Sequence, residues 1–547
     1  MRRSRVVAVA AASAVLLGVA YLALPPTGSD LAAQVARAGF FAAHGPTPVD
    51  LRWYGGVQQF GYSLVSQPVM ALLGVRVTGV LALAAAATAF AALLVRTGVP
   101  RPLLGSLVGV LTIAGNLVSG RVTYGLGVAF GLGALLALTL PRVPADAGPY
   151  RGVRRRQLIR LGLAAVAAML ASATSPVAGL FVGLAGAALL LTRRYADGLT
   201  LGVAAALPLG LTALLFGDGG WMNISRTDTV RAVVTSMLVA ALVGYRPVRV
   251  GALLSAAGVL AAALVHTPVG LNATRLAVMF ALPLLAAAAR PPARLTAWLA
   301  RRARTGAPSA AQTARTEAGG SVALAALLAA VCWWQPPVPP ADLHSVDDPT
   351  SRAAYFAPLR AFLDGQRLTG RVEVPPTRNY WEAARLGEVP LARGWLRQAD
   401  IDRNPLFFTA VPGASGTGVP LTAASYRDWL TENAVQFVAV PDAPLSWVGR
   451  AEAELVEGGL PYLTPVWSGP HWQVWTVTDP TPIVGAPAEL LAQDGASVTF
   501  RAPAAGTVLV RVRHNRWLTA SGGATVANDG GWTAVTVPRA GQYRLGS

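Results

Sequence analysis

His44, Asp50, Arg52, Trp53, Tyr54, Gln58, Gln59 and Tyr62 crowd into 19 positions near the start of the chain. They lie in FAAHGPTPVDLRWYGGVQQFGYSLVSQPVMALL, residues 41–73, a stretch too rich in Gly, Pro and polar groups to be lipid-facing helix. A carboxylate such as Asp50 suits the removal of a proton from an acceptor hydroxyl, given hydrogen-bond reach and a tuned pKa. The plainer role for Asp50 is to cap a helix beginning LRWYGG. His44, Trp53, Tyr54 and Gln58 add the ring faces and amide and imidazole groups that contact sugars. The chemistry suggested is sugar handling, with this loop as one wall of the site.

A second wall is DGGWMNISRTDTVR, residues 218–231. Asp218, Trp221, Asn223, Arg226, Asp228 and Arg231 could bind a divalent cation or a pyrophosphate, although the spacing fits no EF-hand-like loop. An ordinary solvated loop is the alternative. Arg76, Arg121, Arg231 and Arg275 sit at ends of apolar runs, where each needs an anion, a carbonyl or water. A single arginine there snorkels to headgroups. Several together, with Arg52, suit a lipid phosphate, because the guanidinium fork gives one phosphate two hydrogen bonds. Asn116 and Tyr124 lie where they could meet the same group. Farther on, RNYWEAARLGEVPLARGWLRQADIDRNPLFF offers Trp381 and Trp395 among Tyr380, Glu382, Arg393, Arg397, Asp402, Arg403 and Asn404. That composition fits an extended glycan or, equally, a docking face between domains.

These residues belong to a chain of 547 residues that is 53% hydrophobic and only 13% charged. Soluble domains carry about 25% charged residues, so a polytopic membrane protein is expected. All 45 basic residues are Arg, and the net charge is +19. They are spread over loops and make no nucleic-acid-binding motif. Cys332 stands alone, which excludes an intramolecular disulfide and a cysteine metal site. The five histidines show no HExxH-like spacing. No metal site and no cofactor are expected, a divalent cation being left open.

The positioning elements are apolar runs. A first one follows MRRSR and is retained as a span; the others centre on 77–95, 102–119, 122–140, 159–173, 176–192, 199–216, 230–245, 248–265, 273–289 and 320–335. About eleven spans result. With the N-terminus cytoplasmic, Arg151, Arg154, Arg155, Arg156, Arg193, Arg194, Arg246, Arg249, Arg290, Arg294, Arg301, Arg302 and Arg304 all fall in cytoplasmic loops, as the positive-inside rule requires. Everything after Trp334 is then outside. Residues 30–43 read as an amphipathic helix on the outer interface. The expected organisation is a bundle over 1–335 with an outer loop at 25–75, a Pro-rich linker at 336–352, an extracytoplasmic α/β domain over 353–480, and a β-sandwich over 481–547.

A first outer loop carrying an Asp, a many-span core and a C-terminal outer domain together resemble the GT-C superfamily of membrane glycosyltransferases. The stretch YGGVQQFGYSLVSQPVMALLG is similar to bacterial membrane proteins named as 6-pyruvoyl-tetrahydropterin-synthase-related. RWLTASGGATVANDGGWTAVTVPRAGQYRL looks like the terminal module of envelope-glycosylating membrane proteins, with Trp517 and Trp532 as candidate sugar platforms. The resemblance implies a bacterial plasma-membrane enzyme that moves sugar from a polyprenyl phosphate to an envelope glycan or lipid acceptor. It also implies that Asp50 is the catalytic base. The adjacent second acidic residue usual in that superfamily is missing, since Val49 and Leu51 flank Asp50. A carrier or flippase for a lipid-linked or small solute is the rival class, and a non-catalytic scaffold of the same fold is a third. Nucleic acid is not an expected partner.

Overall fold

The structure, a computed structural model, describes residues 3–140, 151–217, 220–290, 310–409, 411 and 418–547, without the side chains of 151–154 and 310–319. Asp218, Arg294, Arg301, Arg302 and Arg304 lie outside the described residues, as do the side chains of Arg151 and Arg154. The chain divides into two compact units, one formed by 1–24, 76–211 and 224–343, the other by 25–75, 212–223 and 344–547.

The first unit is helical. Its helices include Arg3–Ala23, Val75–Arg96, Pro102–Val118, Val122–Ala137, Arg151–Thr174, Pro176–Leu191, Tyr195–Leu215, Arg226–Leu242, Arg246–Leu264, Arg275–Ala288 and Ala310–Trp334. Each of the eleven apolar runs therefore lies on a helix. Among the described residues, six helices are long and apolar enough to cross a membrane, and four more are apolar but shorter. Arg226–Leu242 is in neither group, because Arg226, Asp228 and Arg231 occupy its first turns. Length and composition thus support six crossings where the sequence suggested eleven.

Small residues let these helices approach closely, as membrane interfaces favour. A Cβ on Gly127 would stand 2.7 Å from the Ala178 Cβ and 2.9 Å from the Ser175 Cβ. The turn before Pro176–Leu191 is built locally: Ser175 is extended, its hydroxyl accepts from the Ala178 amide at 3.3 Å, and Pro176 fills the first turn. At one end of the bundle, buried Arg160 donates to Asp197 at 2.8 Å and to the Leu138 carbonyl at 3.1 Å. Arg194 holds the other Asp197 oxygen at 2.7 Å.

Residues 25–75 fall in the second unit, together with 212–223 and 344–547. Leu31–His44 is a helix, but Leu31, Ala32, Gln34, Arg37 and Phe40 are buried in protein. It is a core helix, not an amphipathic one lying on lipid. The expected linker also carries structure: a helical turn over Pro340–Leu343, 3-10 turns over His344–Asp347 and Pro349–Ser351, and a Ser345 hydroxyl bonded to the Thr27 hydroxyl at 2.6 Å.

Strands β1 (Val49–Asp50) and β2 (Val57–Gln58) form a short antiparallel hairpin. Strands β3 (Arg371–Glu373), β4 (Val435–Pro441), β5 (Leu463–Gly469) and β6 (Trp472–Val477) form a sheet in the order β3-β4-β6-β5. Only β3 and β4 are parallel. β4, VQFVAVP, is buried at all but Gln436, in keeping with its mostly apolar run, whereas β3 buries Arg371 and Glu373 as well as Val372. The chain then enters an all-antiparallel module. Strands β7 (Glu489–Gln493), β8 (Ser497–Ala502), β9 (Gly506–Arg513), β10 (Thr519–Ala520), β11 (Thr525–Asp529), β12 (Trp532–Val537) and β13 (Gly541–Gly546) make sheets β10-β13-β8-β7 and β11-β12-β9. Period-two alternation buries Val498 and Phe500 on β8, Val508, Val510 and Val512 on β9, and Tyr543 and Leu545 on β13.

Candidate functional site

Asp50 ends β1, and its side chain is fully buried beneath Arg52. The Arg52 Nε donates to Oδ1 at 2.9 Å and the Arg52 Nη2 to Oδ2 at 2.7 Å. The Arg52 amide adds a third bond to Oδ1 at 3.0 Å, and the Gln59 side chain a fourth to Oδ2 at 2.9 Å. A carboxylate has about four acceptor positions. All four are occupied, and no acceptor position is left for a substrate hydroxyl. Burial alone would lower the Arg52 pKa, but Asp50 outweighs it and holds the guanidinium above its ordinary range. Arg52 also donates to the Ala36 carbonyl at 2.9 Å and lies over the Phe40 ring at 4.9 Å. Its Nε and Nη2 hydrogen bonds are thus made within the protein.

The sequence missed Arg37. Fully buried, it faces the Tyr62 ring at 4.2 Å and the Trp53 ring at 5.7 Å, and reaches the Gln59 amide oxygen at 3.5 Å. The signal available was its position one helical turn before Phe40 and Phe41, but an Arg in an Ala-rich amphipathic run reads as solvent-facing.

The proposed sugar contacts of the loop are buried groups, apart from His44, which is half-buried. Trp53 is fully buried and pairs with Leu391, whose amide donates to the Arg52 carbonyl at 2.7 Å. Tyr54 donates its hydroxyl to the Gly394 carbonyl at 2.5 Å. It sits at φ 55°, followed by Gly55 at 72°, where a Cβ would meet the Trp532 ring at 2.9 Å. Gln58 donates to the Gly217 carbonyl at 3.2 Å, and His44 pairs with Glu388 at 3.1 Å. Trp381 is 1% exposed and Trp395 is half-buried, its indole N–H donating to the Ser29 carbonyl at 3.3 Å. Trp221 packs against the core that contains Tyr426 and Trp429. None of Trp53, Tyr54 and Trp381 offers a ring face to a glycan. Trp517 stacks on Phe216 at 5.1 Å, and Trp532 is buried between Arg371 and Arg513.

The Arg-rich segment after Trp381 is likewise internal. Arg393 is buried, bonded to both Asp400 oxygens at 3.0 Å and to Glu452 at 2.9 Å. Burial would lower its pKa; Asp400, Glu452 and Glu373 outweigh that and raise it. Burial pushes the Glu452 carboxyl up to about 7, and burial together with Glu452 raises Glu373 well above the carboxylate range. Glu373 is thus accommodated beside Arg393 by a retained proton, not by a further cation. Glu382, whose carboxyl takes the Thr377 hydroxyl at 2.6 Å, is pushed up by burial to about 8.

The first unit holds a cavity of about 580 Å³, within the range of ligand sites. One face of Val122–Ala137 lines it through Tyr124, Gly127, Val128, Gly131, Leu132 and Leu135, and apolar residues of the neighbouring helices complete it. The face from Tyr124 to Leu138 is roughly 20 Å long at helical rise. At one end the Tyr124 hydroxyl is buried without a hydrogen-bond partner among the described residues. Arg275 lies over the Tyr124 ring at 5.2 Å, and the Arg121 charge acts on the same tyrosine. At the other end stand Arg194, Tyr245 and Arg290.

Among the solved structures similar to this chain are an arabinofuranosyltransferase and two forms of ArnT. Arabinofuranosyltransferase AftD from Mycobacteria matches over 90% of this chain and 40% of its own, at 19% identity and a TM-score of 0.46. ArnT from Cupriavidus metallidurans bound to undecaprenyl phosphate matches over 86% of this chain and 97% of its own, at 14% identity and a TM-score of 0.43. The apo form of that ArnT matches at 13% identity and a TM-score of 0.44, over 84% and 97%. The chain spans 40% of the length of the arabinofuranosyltransferase. No family model and no curated protein matches it.

Of the residues read as phosphate ligands, Arg121 and Arg275 meet at Tyr124. Arg231 is exposed on Arg226–Leu242, away from any described cavity. Asp228 is occupied in its own helix start, where the Ser225 hydroxyl donates to it at 2.6 Å and accepts from its amide at 3.0 Å. Asn223 is half-buried in the second unit. No group of three or more His, Cys, Asp or Glu side chains among the described residues could hold a metal ion.

Proposed function

We propose that the chain is a membrane glycosyltransferase of GT-C type, moving a sugar from a polyprenyl-phosphate donor to a cell-envelope acceptor on the outer face. It resides in the bacterial plasma membrane with its N-terminus cytoplasmic. The observation supporting this is the cavity of the helical unit: a long apolar slot ending at a buried tyrosine hydroxyl with Arg275 over its ring. An isoprenoid chain suits the slot, and a phosphate suits the end at Tyr124. There Tyr124 can donate through its hydroxyl, and Arg275 and Arg121 supply charge. Charge-assisted bonds of this kind are roughly twice as strong as neutral ones. When the acceptor oxygen attacks the anomeric carbon, the phosphate leaves with the electron pair of the broken bond. Cations there stabilise the charge that develops.

Asp50 enters this reading as the residue that sets the outer loop, because its acceptor positions are filled. That same saturation favours a second reading, a scaffold of GT-C type that binds the lipid without transfer. The test is binding of a fluorescent short-chain polyprenyl phosphate to the purified chain, with Tyr124→Phe and Arg275→Ala beside it, followed by transfer of labelled sugar to envelope extracts. Binding weakened about tenfold in each variant is expected. Binding without transfer would select the scaffold. No binding to the unaltered chain would remove both.

A further inference from the structure

A constellation in the second unit took no part in the reading above. Asp442 follows β4 directly, and His471 occupies the turn between β5 and β6. The His471 Nδ1 lies 3.0 Å from the Asp442 Oδ2, and the Tyr355 hydroxyl donates to the other oxygen, Oδ1, at 2.7 Å. The Asp442 amide donates to the His471 carbonyl at 3.1 Å, so backbone and side chains fix the pair together. The Tyr355 and His471 rings stack with centroids 4.7 Å apart and planes 16° from parallel. Tyr355 is itself packed against Phe356 and Trp472, whose indole N–H donates to the Tyr355 carbonyl at 3.0 Å.

This arrangement determines what the imidazole presents. A carboxylate accepts only, so the ring nitrogen facing Asp442 carries the proton. In the neutral imidazole the other nitrogen, Nε2, is then the acceptor, on a ring whose plane is held by the stack. The His471 side chain is 44% exposed, which leaves that edge reachable. An incidental surface ion pair needs neither the stack nor the second carboxylate bond.

The surroundings restrict the ligand. Asp442 and Asp348 both act on Tyr355, and Asp348 takes the Asn379 amide at 2.6 Å. Two carboxylates repel an anion. Nε2 and the carboxylate lone pairs still open ask for donors, which the hydroxyls of a neutral polyol supply without a charge of their own. The position also fits, because the carboxyl ends of parallel strands are where α/β sheets bind ligands. Asp442 lies at that end of β4, and Thr377 and Asn379 follow the same end of β3. Trp447, 65% exposed, lies on the connection that Asp442 begins.

We propose that Tyr355, Asp442 and His471 form a saccharide site in which the His471 Nε2 accepts a hydrogen bond from a sugar hydroxyl and can take its proton. The site deepens the proposed function by giving the acceptor a place on the second unit, and it stands or falls independently of lipid binding. The experiment is saturation-transfer NMR on the full-length chain in micelles with methyl glycosides of glucose, mannose, galactose and arabinose. His471→Gln and Asp442→Asn are run in parallel, and polyprenyl-phosphate binding is measured on each preparation. At least one glycoside should bind, with Kd rising about tenfold or more in both variants while lipid binding stays unchanged. The same glycoside should slow diethyl pyrocarbonate modification of the His471 peptide. Glycoside binding that both variants retain would overturn the proposal, as would no binding by any of the four. Loss of lipid binding alone would count against the glycosyltransferase reading and leave this site standing.

Discussion

Replacing Asp50 by Asn tests whether the residue builds the loop or works in chemistry. The carboxylate is fully buried and takes four donors, two of them from the Arg52 guanidinium. Asn keeps one acceptor oxygen and turns an N–H₂ toward Arg52, leaving a buried cation without its anion. Breaking a buried pair from one side costs about 3–5 kcal/mol. At 2–4 °C per kcal/mol for a domain of this size, the melting temperature of the second unit should fall by about 6–20 °C. Tryptophan fluorescence in micelles during heating reports it, since Trp53 lies against Arg52 at 5.8 Å. Arg52→Met should cost a similar amount. The double variant should lose less than the sum, because neither charge is then stranded. An Asp50→Asn protein of unchanged stability would refute the reasoning. If that stable protein had also lost sugar transfer, the carboxylate would return as the catalytic base.

Three other outcomes follow from the same geometry. Glu382 titrates near 8 when folded and near 4.3 when unfolded; between those values the native state binds the extra proton, so stability falls as pH rises through that window and levels off above it. Glu382→Gln should flatten this slope in thermal melts at pH 5, 6.5 and 8. Gly394→Ala would place a Cβ 2.5 Å from the Trp53 Cγ, and an overpacking loss of about 1–3 kcal/mol is expected in urea unfolding. Gly127→Val sets branched carbons against Ala178 and Ser175; it should lower the thermal stability of the helical unit while leaving glycoside binding by the second unit unchanged.

The helices were legible because an apolar run leaves the chain few choices in lipid, and every run read from the sequence is helical. Their lengths were less legible, since helix ends such as Arg226–Asp228 are set by caps and charges, not by hydropathy. The loop residues were found but misread. Trp53, Tyr54 and Trp381 look like sugar contacts in a linear view, and only their partners hundreds of residues away, Leu391 and Gly394 among them, turn them into core. Arg393 was taken for a surface group because its counter-charges, Asp400 and Glu452, lie on separate helices. Tyr355, Asp442 and His471 escaped notice for the same reason, being 87 and 29 residues apart along the chain. Tyr124 and Arg275 were singled out by their position at span ends, a signal that is local.

The Tyr54 hydroxyl meets a carbonyl 340 residues farther along the chain. Synthesis proceeds at roughly 5–20 residues per second, so the early loop waits about 15–70 s for the strands that cover it. During that interval Trp53, Tyr54 and the Asp50–Arg52 pair have no roof. A product truncated after Trp334 would never bury them. Such a fragment should be cleared by proteolysis even though all of its apolar helices are present.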